Sequence, residues 1–436
     1  MKSNQLNISE FESDSDIRQL VDAARHGDAS AQFELGVRYA SGNGVRKSNG
    51  KAVKWYRKAA ENVHAEAQHL LGLCYSLGMG VTKNPVAAVK WWRKSAEQGY
   101  APAQYDVGTS YARGYVVPQN YGEAAKWLRK AAKQGLDMAQ LELARCYRMG
   151  FGVSKDDRKA VKWYRKAADQ GQMIAQLDMG IAYKNGFGVP KDLEKAFHWF
   201  FKAAEQGYLK AQFEVGGSYY EGRGVEKNDA EAFEWWRKAA EQGLADAQFN
   251  VGGMLEHGVG VQSNPQDAKR WYHKAAEQGH AQAQHALAMI YEYGTDKDLT
   301  EAVRWFHLAA EQGVAEAQAC LGLCFLRGDG VKKNMNAALY WYQKASDQGY
   351  AVAQLNLGMF YDNGLGVPED RRMAVKWFYE AAKQGLVYAQ FMLAECYRSG
   401  SGVTQNLNVA AKWYRKAAEQ GCASAIKALK ALGETE

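Results

Sequence analysis

The chain of 436 residues is poor in the residues that interrupt or cross-link a fold, with 6 prolines and 6 cysteines. It also lacks an apolar run long enough to span a bilayer, which predicts that no segment inserts into a membrane. The first residues are polar and acidic, without the basic and apolar regions of a secretory signal peptide. We therefore expect a cytoplasmic protein, with export by a system that reads another signal as the alternative.

The cysteines do not have the spacing of a disulfide framework. Cys320 lies one helical turn from Cys324, and Cys422 stands alone in a turn. Such residues are typical of small buried apolar side chains in a reducing compartment, so we expect no disulfides. Four cysteines share one position of a repeat that is described below: Cys74, Cys146, Cys324 and Cys396.

Motifs for catalysis and nucleotide binding are also missing. The chain has neither a Walker sequence nor a dinucleotide fingerprint. Ser48 and Lys51, and again Ser424 and Lys427, have the Ser-x-x-Lys spacing of penicillin-recognising enzymes. The companion Ser-Asp-Asn and Lys-Thr-Gly motifs are absent, and Ser48 occupies a helix-capping position of the repeat. We therefore predict a protein without enzymatic activity or a cofactor.

Histidines and cysteines are the remaining candidates for a metal site. His273, His280 and His285 precede Cys320 and Cys324 in the chain. They have neither the Cys-x-x-Cys nor the His-Glu-x-x-His spacing of a zinc site. We therefore expect packed or solvated side chains and no metal.

The net charge of +7 does not indicate nucleic-acid binding. Much of it comes from a recurring Lys-Trp-Tyr-Arg-Lys element, such as Lys54, Arg57 and Lys58 in the first copy. These cations recur along one helical face beside aromatic residues, whereas a nucleic-acid site concentrates them in a groove with stacking platforms. We expect a solvated outer face and no nucleic-acid partner.

What the chain has in abundance is a repeat. Tryptophan recurs at intervals of 36 residues from Trp55 to Trp413, except for one interval of 34 between Trp271 and Trp305. A period in this range is the sequence signature of a stacked-repeat architecture. Eleven copies fill residues 28–421.

Each copy predicts two helices. Small and apolar residues at Ala31, Leu35 and Tyr39 mark one face of the first helix, which ends in a Gly-x-Gly-Val segment. The second helix carries the Trp-Tyr pair on its apolar face. A glutamine in every first helix predicts a repeated bond to backbone groups of a neighbour. A residue suited to helix capping precedes every second helix: Ser48, Asn84, Asn120, Asp156, Asp192, Asn228, Asn264, Asp298, Asn334, Asp370 and Asn406.

The predicted fold is an all-α solenoid of eleven helical hairpins, ten of 36 residues and one of 34, with half-repeat caps at both ends. We expect a disordered N-terminal tail over 1–14 and an N-terminal capping helix over 15–27. The hairpins follow over 28–421, and a C-terminal capping helix and tail occupy 422–436.

The pattern Ala-x-Ala-Gln-x-x-Leu-Gly-x-x-Tyr, closing with Ala-x-x-Trp-Tyr-x-Lys-Ala-Ala-x-x-Gly, resembles the Sel-like repeat (SLR) family. The resemblance covers about nine tenths of the chain. It implies a right-handed superhelical α/α solenoid, related to tetratricopeptide repeats, which binds proteins or peptides without catalysis. An adaptor, an immunity protein and a host-directed effector are all compatible with it. One branch with paired cysteines has been linked to β-lactams, which makes a β-lactam-binding or β-lactam-hydrolysing protein the alternative.

In SLR-like solenoids the first helices line the concave surface, and this resemblance assigns the variable stripe of the first helices to it. The stripe is acidic in the early copies and apolar in the later ones. We expect it to bind a peptide with a basic part and an apolar part. The partner's identity and the oligomeric state stay open. The stripe residues are Glu34, Asp106, Glu142, Arg145, Asp178, Glu214, Glu221, Asn250, Met289, Tyr293, Leu323, Met359, Tyr388 and Met392.

Overall fold

The structure, a computed structural model, describes residues 15–433. The tail predicted over 1–14 lies outside the described residues. Within 15–433 the chain forms 24 α-helices and no strand, as the all-α prediction requires. The helices fall into two compact units, Met1–Lys227 and Asn228–Glu436. We refer to these as unit 1 and unit 2.

The helices alternate between two kinds. The even-numbered ones, which begin each repeat, are called A helices, and the odd-numbered ones are called B helices. Unit 1 contains α1 (Ser15–Arg25), α2 (Ala29–Ser41), α3 (Asn49–Glu61), α4 (Ala65–Leu77), α5 (Pro85–Glu97), α6 (Ala101–Arg113), α7 (Tyr121–Lys133), α8 (Asp137–Met149), α9 (Asp157–Asp169), α10 (Met173–Asn185), α11 (Leu193–Glu205) and α12 (Leu209–Glu221). Unit 2 contains α13 (Asp229–Glu241), α14 (Ala245–His257), α15 (Pro265–Glu277), α16 (Ala281–Tyr293), α17 (Leu299–Glu311), α18 (Ala315–Arg327), α19 (Met335–Asp347), α20 (Ala351–Asn363), α21 (Arg371–Lys383), α22 (Val387–Ser399), α23 (Leu407–Glu419) and α24 (Ala423–Ala431).

The B helices begin where the capping residues predict. The Asp156 carboxylate accepts a hydrogen bond from the Lys159 amide at 2.9 Å, and the Ser48 hydroxyl accepts one from the Lys51 amide at 3.3 Å. Equivalent bonds occur at all eleven predicted caps. They satisfy first-turn amides that have no partner inside the helix. The prediction of the B-helix starts is confirmed.

In most hairpins the recurring tryptophan is less buried than the residue that follows it. Phe200, which follows Trp199, is 2% exposed, whereas Trp199 itself is half-buried. Only Trp55, Trp235 and Trp305 of the periodic set are buried. The sequence predicts that both residues of the Trp-Tyr pair lie on the apolar face, but in most copies the tryptophan is only half-buried. It is the next residue that packs against the A helix.

A glycine of the A helix makes room for this buried ring. A Cβ added at Gly180 would lie 2.4 Å from Cδ1 of Phe200, and one at Gly358 would lie 2.4 Å from Cδ1 of Phe378. In eight copies the periodic tryptophan lies beneath the lysine three residues later. The Lys238 ammonium is 3.8 Å from the ring centroid of Trp235, for example. Much of the basic charge is thus spread over the B helices in cation–π contacts.

Glutamine side chains connect consecutive helices in the way that their recurrence predicts. Gln68 donates to the Ala60 carbonyl of the preceding B helix at 3.0 Å. Gln98, at the end of the next B helix, donates to the side-chain oxygen of Gln68 at 2.8 Å. Equivalent bonds recur in both units, as at Gln354 and Gln384. The glutamines are therefore part of the packing and not ligand-binding groups.

One loop differs from the others. Five residues connect α16 to α17, from Gly294 to Asp298, whereas seven connect α2 to α3. The third residue of the seven-residue loops is a glycine in every case except Val116, between α6 and α7. This glycine lies against the start of the preceding B helix, as Gly330 does against the Leu299 carbonyl. The short loop has no such glycine, so the first turn of α15 is left uncovered.

Candidate functional site

All fourteen predicted stripe residues lie on A helices and have accessible side chains. Unit 1 holds seven of them and unit 2 the other seven. The positions that pack in every repeat lie on the same helices, next to the stripe residues. Leu35, one residue from Glu34, is fully buried, as is Leu143, one residue from Glu142. The stripe is therefore a surface that the packing leaves available.

The acidic residues of the stripe have polar or charged partners within the chain. Arg38 donates to Glu34 at 3.0 Å on the same helix. Between neighbouring repeats, Lys184 lies 2.7 Å from Glu214. His69 Nε2 lies 2.8 Å from Asp106, and neither His69 nor Lys184 was singled out from the sequence. Glu221 pairs with Arg223 at 2.6 Å. Unit 1 therefore does not present the bare acidic lane on which the expectation of a basic partner rests.

Asp178 is the most constrained of these acids. Its carboxylate lies 3.8 Å from Arg145 Nε, and Arg145 also donates to Glu142 at 3.0 Å. The Oδ2 atom of Asp178 is buried and accepts no hydrogen bond from the described residues. Burial raises the pKa of Asp178 to about 6, because desolvation outweighs the attraction of Arg145 and Arg148.

A cavity of about 430 Å³ opens beside this cluster, between the C-terminal ends of α6 and α8. We call it the unit 1 cavity. Arg113 and Arg148 line it together with Arg145, and Tyr164 reaches it from a B helix. Met149, 60% exposed, and Phe151 form its apolar rim. The Phe151 ring stacks on Tyr121 with 4.7 Å between centroids.

In unit 2 the same stripe is largely uncharged. Its polar member is Asn250, and it is otherwise apolar or aromatic. Tyr293 is 67% exposed and Tyr388 is 49% exposed, whereas the other members are half-buried: Met289, Leu323, Met359 and Met392. Large apolar side chains in such numbers on an accessible surface are typical of a binding surface for another protein.

A second cavity, of about 420 Å³, lies where the short loop leaves α15 uncovered. We call it the unit 2 cavity. Pro265 and Gln266 of the first turn of α15 line one side, and Met289 and Tyr293 of the stripe line the other. Lys269 lies 3.7 Å from Asp296 at its edge. The deletion in the repeat is therefore what creates this cavity.

The motif-based alternatives lose support in the structure. The Ser48 hydroxyl accepts the capping bond of α3, and Ser424 is an exposed residue of the last helix. His280 accepts a capping bond from the Ala283 amide. The buried Nε2 of His285 has no partner among the described residues, and its pKa is lowered by burial.

Three further properties bear on the kind of site. No group of three or more side chains suited to a metal is found among residues 15–433. Burial raises the pKa of Cys320 to about 12, which disfavours its thiolate. In the part of the chain that the structure describes, no helix has the length and apolar character needed to cross a bilayer.

Comparison with known proteins matches this arrangement. A family model described as "Sel1 repeat" matches eleven times in succession, from residues 29–64 to residues 387–422. No curated protein matches the chain. The structure is similar to c5321, a protective antigen of uropathogenic Escherichia coli strains that displays an SLR fold, with a TM-score of 0.87 and 36% identity over 94% of this chain and 89% of that chain. A Sel1 repeat protein from Oxalobacter formigenes has a TM-score of 0.53 and 34% identity, over 80% of this chain and 91% of that chain.

Proposed function

Because the chain belongs to the Sel1 repeat family, a protein-interaction fold, we propose that it is a non-enzymatic scaffold that binds a partner protein or peptide along its A helices. The single observation that carries this proposal is the separation of packing from surface chemistry. Positions that pack are nearly invariant, whereas the adjacent stripe changes from Glu34 to Leu70 to Asp106 in three consecutive copies. Packing does not dictate the stripe, so its chemistry is available for recognition.

The two cavities support a peptide ligand. Both open beside stripe residues, and their volumes of about 430 and 420 Å³ fall at the lower end of the range for ligand sites. A cavity of this size accommodates side chains of a bound segment, not a large cofactor. We propose a partner that places side chains in such cavities.

Within this class an adaptor, an immunity protein and a host-directed effector differ in their partners and not in the binding surface. The similar E. coli protein is a protective antigen, which favours a role in contact with a host. A β-lactam hydrolase is not supported, because the Ser48 hydroxyl accepts a helix-capping bond. We expect no nitrocefin turnover above that of Ser48→Ala.

The test is selection of peptides from a random phage-display library on the intact chain. A stripe variant carries Tyr293→Ser and Tyr388→Ser. A matched control carries Tyr340→Ser and Tyr379→Ser, which are exposed tyrosines on B helices. We expect the stripe variant to lose affinity for selected peptides by about tenfold or more, and the control to keep it. Equal binding to both variants would contradict the proposal for the unit 2 part of the stripe.

A further inference from the structure

The charges that line the unit 1 cavity do not balance. Three arginines face it, Arg113, Arg145 and Arg148, against two carboxylates, Glu142 and Asp178. Arg145 is engaged by both carboxylates, at 3.0 and 3.8 Å. Neither Arg113 nor Arg148 has a carboxylate oxygen within ion-pair distance among residues 15–433. The cavity therefore has an excess of positive charge on the stripe that the sequence suggests to be acidic.

We propose that the unit 1 cavity binds an aspartate or glutamate side chain of the partner, with an apolar residue of the same segment beside it. This inference rests on the proposed function and specifies its ligand. Guanidinium groups bind carboxylates through paired, directional hydrogen bonds that a lysine cannot reproduce. Arg148 is also held in place, since its guanidinium carbon lies 4.4 Å from the ring centroid of Phe187. Less side-chain entropy is then lost when a carboxylate binds.

The rim of the cavity accounts for the apolar residue. Met149, Phe151 and Tyr121 are exposed there, next to the arginines. Stacking of Phe151 on Tyr121 gives a fixed aromatic surface, and the methionine beside it adapts to the shape of a ligand. An apolar side chain that packs on this surface would exclude water from the neighbouring ion pair and strengthen it.

The geometry disfavours a basic ligand at the same place. An incoming lysine or arginine would meet Arg113 and Arg148, neither of which has a carboxylate oxygen within ion-pair distance among residues 15–433. Of the two carboxylates that line the cavity, Asp178 has a side chain 18% exposed and Glu142 one 31% exposed, and both lie within ion-pair distance of Arg145. Like charges brought together at an interface oppose association, so the cavity selects against a basic partner segment.

The experiment uses the intact chain and peptides selected from a random phage-display library, with affinities measured by fluorescence polarisation. The test variant carries Arg113→Gln and Arg148→Gln. The control carries Lys90→Gln and Lys162→Gln, which remove the same charge from exposed positions on B helices of the same unit. We expect some selected peptides to pair an acidic with an apolar residue. The arginine variant should bind these about tenfold to a hundredfold more weakly, and the control should bind them normally.

Asp178→Asn provides the opposite test. Removal of a negative charge beside the arginines should tighten binding of the acidic peptides about twofold to fivefold, whereas it would weaken binding of a basic peptide. Circular dichroism melts of every variant separate loss of binding from loss of fold.

The outcomes distinguish this inference from the proposed function. If the selected peptides are basic, or if acidic peptides bind the arginine variant as tightly as the parent, the proposal of an acidic ligand is wrong. The proposal that the chain binds peptides is unaffected by either result. Failure to select any specific peptide would overturn both proposals. Loss of affinity on the arginine variant, together with tighter binding by Asp178→Asn, would support both.

Discussion

The two units share one internal framework but carry different surfaces. In both, a ring after the periodic tryptophan fills the space beside an A-helix glycine, as at Phe200 with Gly180 and Phe378 with Gly358. On the stripe, unit 1 carries acids held by internal cations, whereas unit 2 carries methionines and tyrosines. Packing and surface use different positions of the same helix, so one can change without the other.

The two cavities arise in different ways and differ in charge. The unit 1 cavity results from the side chains of regular repeats and has more arginines than carboxylates. The unit 2 cavity results from a backbone change, the five-residue loop, and is lined by Lys269 against Glu256 and Asp296. A scaffold with both cavities can bind one partner segment through charged groups and another through the fit of a side chain.

The largest expected effect tests whether the framework is common to the units. Phe200→Ala and Phe378→Ala should each lower the free energy of unfolding by about 3–5 kcal/mol, because each removes a fully buried ring. Trp199→Ala and Trp377→Ala remove half-buried rings and should cost about 1–3 kcal/mol. Urea unfolding of the four variants measures this. A larger loss of unfolding free energy in the tryptophan variants would show that the periodic tryptophan stabilises the repeats more than the ring after it.

Asp178→Asn tests how the buried acid in the stripe of unit 1 affects stability at different pH. The folded-state pKa of about 6 lies above the ordinary 3.8, so the folded chain binds more protons between these values. The stability that this group contributes is therefore lost as pH rises through about 6. At pH 7.5 the asparagine variant should be more stable by about 1–3 kcal/mol, and near pH 4 the two should be equal.

The control for this prediction is Glu214→Gln. Its carboxylate is partly exposed and paired with Lys184 at 2.7 Å, so its removal should lower stability slightly, by about 0–1 kcal/mol. Thermal melts of both variants across the pH range test the contrast. An Asp178→Asn variant less stable than the parent at pH 7.5 would show that the Arg145 pair outweighs desolvation.

Much of the framework could be predicted from the sequence because it depends on local chemistry. A capping side chain or a left-handed glycine acts within a few residues, so the starts of the B helices follow from positions such as Asp156 and Ser48. Which of two adjacent rings is the more buried could not be predicted from local chemistry. Trp199 and Phe200 lie on adjacent positions of one apolar face, and only the neighbouring A helix determines which ring it covers.

The candidate site was predicted in part. The sequence identifies which A-helix positions vary, but not which of them pair across repeats. His69 reaches Asp106, 37 residues away, and Lys184 reaches Glu214, 30 residues away, because neighbouring A helices lie side by side. The unit 2 cavity did have a sequence signal, the interval of 34 between Trp271 and Trp305. The shorter interval alone does not predict a cavity, because the sequence does not show that a loop glycine covers the start of the preceding B helix.

The smallest effect on stability, and the sharpest test of the unit 2 cavity, comes from restoring a regular loop. Residues 294–298 would be replaced by the seven-residue sequence of 186–192, which ends in the same capping aspartate. The added glycine and valine should cover the first turn of α15 and fill the cavity. Two more ordered residues cost about 2–4 kcal/mol of backbone entropy, which the new contacts largely offset. The net change in unfolding free energy should stay within about 1 kcal/mol.

Peptides whose binding requires Tyr293 should lose about tenfold or more in affinity after this graft, because the cavity that receives their side chain is filled. The same sequence placed at 364–370, already a seven-residue loop, controls for the graft. Unchanged affinity for these peptides after the graft would show that the deletion has no part in binding.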